Sequence, residues 1–168
     1  MKNLFIALIL AAAMSPTMLP AQQTADTLSE SVRPVEGNFS EFEYQGFTML
    51  IPSNSTVDST TKEAIVKCPD GTFGMSVKVE ADKSASATSA VQLCRRMVTD
   101  LDVKNATISR VMIHGMKGGR LQGITEGAPI NVVILDTGKK YLKMVIINTP
   151  DHADWVNITI DSINKITT

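Results

Sequence analysis

The sequence predicts an α+β domain, a mostly antiparallel sheet of about six or seven strands sandwiched by helices. The order is three strands, a helix, four strands and a helix. Three observations carry this. First, four strand-like runs follow one another at Ala106–His114, Gly119–Glu126, Ile130–Asp136 and Lys140–Ile147, with only Gly115–Gly118, Gly127–Pro129 and Thr137–Gly138–Lys139 between them. Such short connections force antiparallel neighbours, because a parallel crossover needs about a dozen residues or more. Second, these runs are apolar on both faces. Ile130, Val132 and Ile134 alternate with Val133 and Leu135, and Leu142, Met144 and Ile146 with Val145 and Ile147. Side chains alternate faces along a strand, so both faces need a cover. Third, two segments have helical apolar spacing, one before the meander and one after it.

The elements in order begin with a leader. Lys2, the apolar run Leu4–Ala13 and the small Ala21 after Leu19–Pro20 read as a secretory signal peptide over residues 1–21. The run is shorter than the about 20 apolar residues of a spanning helix, so no membrane span is expected after cleavage. An uncleaved anchor is the alternative. Residues 22–38 are polar, without apolar period, and read as a flexible linker to a single domain at 39–168. Glu43–Ile51 reads as the first strand, stopped by Pro52. Glu63–Cys68 is the second, and Pro69–Asp70–Gly71 a tight turn. Thr72–Ala81 is the third, with Met75, Val77, Val79 and Ala81 toward the core, and Ser76, Lys78 and Glu80 toward water or a partner edge. Ala87, Ala90, Val91, Cys94, Met97, Val98 and Leu101 then form one helical stripe, with Ser84, Ser86 or Thr88 as its cap. A last helix starts at Thr149–Pro150, with Thr149 as cap, Asp151 and Asp154 in its first turn, and Val156, Ile160 and Ile163 as its buried stripe. Lys165 falls near its end.

With this order in hand, the chain resembles the PsbP-like and DcrB-like exported proteins. The resemblance rests on Tyr44–Gln45–Gly46–Phe47–Thr48–Met49–Leu50–Ile51–Pro52, the central helix, the meander and the helix entered through Thr149–Pro150. It spans roughly Phe39 to Thr168. It implies a sheet sandwiched by helices, no enzymatic residues, and action through protein partners. The loop Ser53–Asn54–Ser55 departs from the pattern by lacking an aromatic residue, and no functional residue carries over.

Composition narrows the function classes. Removing Lys2 takes the formal charge from -1 to -2, and aromatic residues are 5% of the chain. Neither favours nucleic acid, and the low aromatic content argues against base- or sugar-stacking platforms. Cys68 and Cys94 allow one disulfide in an exported chain; the alternative is two buried free thiols. Asp151–His152–Ala153–Asp154 is the densest set of metal-ligand types, but neighbouring helix positions diverge and the aspartates have a dipole role, so no metal is expected. No glycine-flanked serine and no Cys-x-x-Cys pair occurs. Gly115–Met116–Lys117–Gly118–Gly119 lacks the spacing of a phosphate loop and reads as a hairpin turn. The methionines after the leader read as core filling. Asn38, Asn54, Asn105 and Asn157 begin glycosylation-type triplets, as chance allows in a chain rich in Asn, Ser and Thr.

No catalytic, cofactor-binding or metal residue is therefore expected, and no cofactor. The reading is a periplasmic or secreted, non-enzymatic binding or interaction module for an unknown protein or small ligand. The alternatives are a hydrolase or other enzyme with a dispersed site built on His114 or His152, and an envelope structural or stress factor. A site is expected in the turns Gly115–Gly118 and Thr137–Lys140, or along a sheet edge.

Overall fold

The apolar meander forms one wing of a large antiparallel sheet. In the computed structural model, which describes residues 32–34, 38–82 and 85–166, the early strands are β1 (Val32–Pro34), β2 (Phe39–Tyr44), β3 (Phe47–Pro52), β4 (Thr56–Ser59), β5 (Ala64–Lys67) and β6 (Phe73–Ala81). Helix α1 (Ala87–Asp100) follows, then β7 (Lys104–Ile113), β8 (Met116–Thr125), β9 (Ala128–Asp136) and β10 (Lys140–Asn148). A 3-10 turn (Pro150–His152), α2 (Ala153–Asp161) and β11 (Asn164–Lys165) end the described chain. The large sheet has the order β4-β5-β6-β10-β9-β8-β7, and a smaller sheet has the order β1-β2-β3-β11. The meander pairs in sequence, and β10 then joins β6 over its whole length, from Lys140↔Ala81 to Asn148↔Phe73.

The two-sided burial read from the alternation is present, but the covers differ from the expected pair of helices. On one face, Ala90 and Cys94 of α1 pack on Leu121, Ile130, Val132, Ile134, Tyr141, Val145 and Ile147. On the other, Val66, Met75, Val77, Val133, Leu135, Leu142, Met144 and Ile146 meet the small sheet, with Val156, Ile160 and Ile163 of the C-terminal segment. The small sheet arises because the run expected as one strand, Glu43–Ile51, folds back on itself. Gln45 (φ 48) and Gly46 (φ 84) form a two-residue turn with positive φ at both positions, the geometry that joins tight hairpins. Tyr44 then pairs with Phe47 and Phe42 with Met49, so the apolar residues of both arms share one buried face.

Other boundaries move for local reasons. β8 begins at Met116 rather than Gly119, because the turn glycine is Gly115 and the next two glycines lie inside the strand. A Cβ on Gly118 would sit 1.9 Å from the Ile134 carbonyl oxygen, and one on Gly119 would sit 3.0 Å from both Cys94 Sγ and Val91 Cα. Gly119 thus lets α1 lie close against the sheet. Ser86 is the α1 cap, its Oγ accepting from the Ser89 N–H at 3.2 Å. At the chain's end Thr149 makes no side-chain cap bond; its Oγ1 lies 3.0 Å from His152 Nδ1, and the α-helix starts only at Ala153. That helix stops early, where Ser162 Oγ accepts from the Leu50 N–H at 2.7 Å, and Lys165 belongs to β11. Ser76, expected to face water or an edge, is buried, whereas Ala81, expected in the core, is exposed. The expected leader at 1–21 lies outside the described residues, and so does most of the linker 22–38. Within that linker, Val32–Pro34 pair with β2.

Of the two alternatives for the cysteines, the structure has the free thiols. Cys68 packs in the layer between the sheets and Cys94 beneath α1, so the large sheet stands between them. Cys68 Sγ donates to Asn54 Oδ1 at 3.4 Å and lies 3.5 Å from Ser55 Oγ. Burial raises its pKa, against a lowering by the Ser55 hydroxyl. Burial pushes the Cys94 thiol up to about 11, against a lowering by a backbone hydrogen bond.

Two predictions follow from this packing. Gly118→Ala should lower the unfolding free energy by about 3 kcal/mol, the upper end for forced overpacking, and Gly119→Ala by about 1 kcal/mol. Urea denaturation checks both; no loss in Gly118→Ala would contradict the close approach of β8 and β9. The second concerns Cys94, whose thiol ionises near 9.0 when unfolded and near 11 when folded. The unfolded chain loses this proton first, so stability is fully present below pH 9 and falls as pH rises toward 11. The loss approaches about 2.7 kcal/mol, two pH units at about 1.36 kcal/mol each, so the difference between the parent and Cys94→Ala unfolding free energies should be flat below pH 8 and fall above pH 9.

Candidate functional site

Helix α1 packs chiefly on β7, β8 and β9, toward one side of the sheet. Beside it opens a groove of about 300 Å³, walled by Met97 and Asp100 of α1 and by Leu101, its C-cap, and floored by Ser76 and Val145. Lys78, Glu80 and Lys143 form its rim. The register explains the rim. Lys143 stands directly opposite Lys78 across the β10–β6 pair, and facing like charges repel. Each lysine is drawn to a carboxylate instead: Lys143 Nζ to Glu80 Oε2 at 2.5 Å and Lys78 Nζ to Glu63 Oε2 at 3.4 Å. The groove therefore offers a wall that is apolar at Met97 and Leu101 and carries one carboxylate, Asp100, with a rim of internally paired charge.

A second cleft, of about 220 Å³, opens on the opposite face of the sheet between α2 and β8–β10. It is polar. Arg120 projects from β8 and donates from Nε and Nη2 to Asn131 Oδ1 at 3.1 and 2.7 Å, and from Nη2 to Asn157 Oδ1 at 3.0 Å. Burial lowers the guanidinium pKa, and the charge of Asp161 partly opposes this. Asn148 also lines the cleft, and its Nδ2 donates to the Thr149 carbonyl at 2.6 Å.

The residues weighed from sequence are scattered. His114 occupies the β7–β8 turn with φ 44 and is exposed. His152 stacks edge-on against Trp155, with ring centroids 4.2 Å apart. Asp151 and Asp154 fall in the first turns of the 3-10 segment and α2, as the dipole argument requires. Among the described residues no three His, Cys, Asp or Glu side chains gather as metal ligands would. The turn Thr137–Lys140 is closed on itself, by Thr137 N–H to the Lys140 carbonyl at 3.0 Å and Gly138 N–H to Asp136 Oδ1 at 2.9 Å. From the Gly115–Gly118 turn region, Lys117 and Gly118 line a further hollow, of about 310 Å³, with Arg110 and Met112. Sequence reasoning left Arg120, Asn131 and Asn148 unremarked as a set. The available signal was polar residues inside strands that are otherwise apolar.

No family model matches the chain, and no curated protein does. Solved structures do. The solution structure of cyanobacterial PsbP (CyanoP) from Synechocystis sp. PCC 6803 is similar with a TM-score of 0.56 at 14% identity, over 88% of this chain and 98% of that one. A crystal structure from Bacteroides thetaiotaomicron VPI-5482 is similar with a TM-score of 0.51 at 14% identity, over 73% of this chain and 46% of that one. Identity this low speaks to fold alone. On that likeness and on the topology above, the chain has the PsbP-like fold.

Proposed function

We propose that this chain is an exported, non-enzymatic binding module, and that the groove beside α1 holds a small apolar ligand. The observation that carries this is the groove itself. It places Met97, Leu101 and Val145 against a volume of about 300 Å³, at the lower end of small-molecule pockets. Methionine suits such a wall because its unbranched thioether adapts to the guest. The rim supports an uncharged or weakly polar ligand, since Lys143 and Lys78 already have Glu80 and Glu63 as partners. Export rests on the leader composition, with Lys2 before the apolar Leu4–Ala13 and the small Ala21. The module reading rests on the absence of a serine elbow or a Cys-x-x-Cys pair in the sequence.

Two measurements test the two halves. The hydrophobic fluorophore N-phenyl-1-naphthylamine should bind the purified protein and brighten. Met97→Lys should weaken that binding about tenfold, by placing an ammonium against the apolar wall. Met112→Lys, a change at a position 69% exposed away from this groove, should leave binding unchanged. No binding by the parent, or equal losses in both variants, would remove the groove as the site. Separately, fusing residues 1–31 to a leaderless alkaline phosphatase should yield external activity, with the mature N-terminus at Gln22. Activity confined to the cytoplasm would remove the export half.

A further inference from the structure

The polar cleft at α2 carries a charge that the fold does not use. Arg120 is half-buried, yet both of its hydrogen-bond partners are asparagine amide oxygens, Asn131 Oδ1 and Asn157 Oδ1. Among the described residues no carboxylate lies within ion-pair distance of it; Asp161 acts on it only through space. Nη1 makes no hydrogen bond among the described residues, so one donor nitrogen of the fork remains available. Asn131 is 8% exposed, so the acceptor that holds Nε and Nη2 is itself fixed in the core.

A second, independent feature lines the same cleft. Asn148 is 4% exposed, and its Oδ1 is buried without a hydrogen-bond partner. The amide cannot relieve this by rotating, because its Nδ2 donates to the Thr149 carbonyl; a flip would set two acceptors against each other. A buried acceptor left without a donor is unfavourable by about 1 to 3 kcal/mol. The cleft, of about 220 Å³, therefore has one unused cationic donor, and in its wall one unused acceptor that is closed to solvent.

We infer that this cleft is a binding site for a small organic carboxylate that also carries a hydrogen-bond donor, such as an α-amino or α-hydroxy acid. The carboxylate accepts from Arg120 Nη1, and the ligand's ammonium or hydroxyl reaches Asn148 Oδ1, which is closed to solvent, by displacing the side chains that cover it. Guanidinium is the side chain best matched to a planar carboxylate. Asn157, on the exposed face of α2, shares Nη2 and can give way to the second carboxylate oxygen. The site lies on the opposite face of the sheet from the groove beside α1, so either can fail without the other.

The test is a titration of the full mature protein, followed by backbone and side-chain amide NMR in chloride buffer. The probes are L-alanine, L-lactate, acetate and L-alaninamide. Alanine and lactate should shift the Gln122, Asn131, Asn148 and Asn157 amides. Acetate should bind about tenfold more weakly, lacking one hydrogen bond, and alaninamide should not bind. Arg120→Lys keeps the charge but not the fork, and should weaken lactate about tenfold. Asn148→Ala should leave acetate unchanged and reduce lactate to the acetate level. Either variant suffices if the other does not fold. Shifts of equal size with alaninamide, shifts that persist in both variants, or no shift with any probe would overturn the assignment.

Discussion

The structure depends on one constraint: β9 and β10 are apolar on both faces, so neither face of the large sheet can be left to water at its centre. Two covers are needed, and neither is large enough to cover a whole face. Seven strands at ~4.8 Å spacing spread over about 29 Å. A helix of 14 residues is about 21 Å long and 10 to 12 Å across with side chains. A single helix on that face must leave part of the sheet bare, and the strands there change character accordingly. Where α1 lies, β8 and β9 present Leu121, Val132 and Ile134. Beyond it, β6 and β10 present Lys78, Glu80 and Lys143. The groove is thus a consequence of covering a wide sheet with a narrow element.

The position of α1 is fixed at both ends, which gives the groove a defined shape. At its start, the buried Tyr141 hydroxyl meets Ser89 Oγ and accepts from the Ser86 N–H at 3.4 Å, so the cap is tied to β10. At its end, the Leu101 carbonyl, which has no acceptor role within the helix, accepts from the buried Thr125 Oγ1 at 2.7 Å. Between them Gly119 admits the helix backbone at close range. These contacts belong to β8 and β10, the strands that flank β9, so the cover and the covered strands are positioned by the same residues.

The parts of this fold that follow from periodicity were legible in the sequence, and those that follow from one or two turn residues were not. The alternation at Ile130–Leu135 and Leu142–Ile147 correctly divides the two cores. The stripe through Ala90 and Cys94 correctly picks the buried side of α1. Gln45–Gly46 was misread because a Gln at positive φ carries a weaker turn signal than Asn or Asp would, and the apolar pattern continues in phase through it. The same confusion, in reverse, places Gly118 in a turn and starts the strand only at Gly119, when the lack of a side chain at both serves strand and helix contact. The cleft was harder still. Arg120, Asn131, Asn148 and Asn157 come from four different elements, and only the register of β8 on β9 and the placement of α2 bring them together.

The two open regions differ in how their charges are treated, and so in the kind of ligand each suits. On the groove rim each lysine has a carboxylate, and the pairs are partly exposed, with side-chain exposures of 36% and 20% for Lys78 and Glu63 and 22% and 48% for Lys143 and Glu80. Such pairs contribute little to stability, but they leave no charge uncompensated. Arg120 is the opposite case. Amide oxygens satisfy the hydrogen-bond geometry of a guanidinium but carry no net charge, so its positive charge remains largely uncompensated where burial already disfavours it. The arginine does have one structural task, since its Nε and Nη2 are the donors to the buried Asn131 Oδ1, but an amide donor would serve that task without a charge. An ionised side chain held by two asparagines, near a buried acceptor with no donor, suits the complement proposed above, a carboxylate that also carries a hydrogen-bond donor.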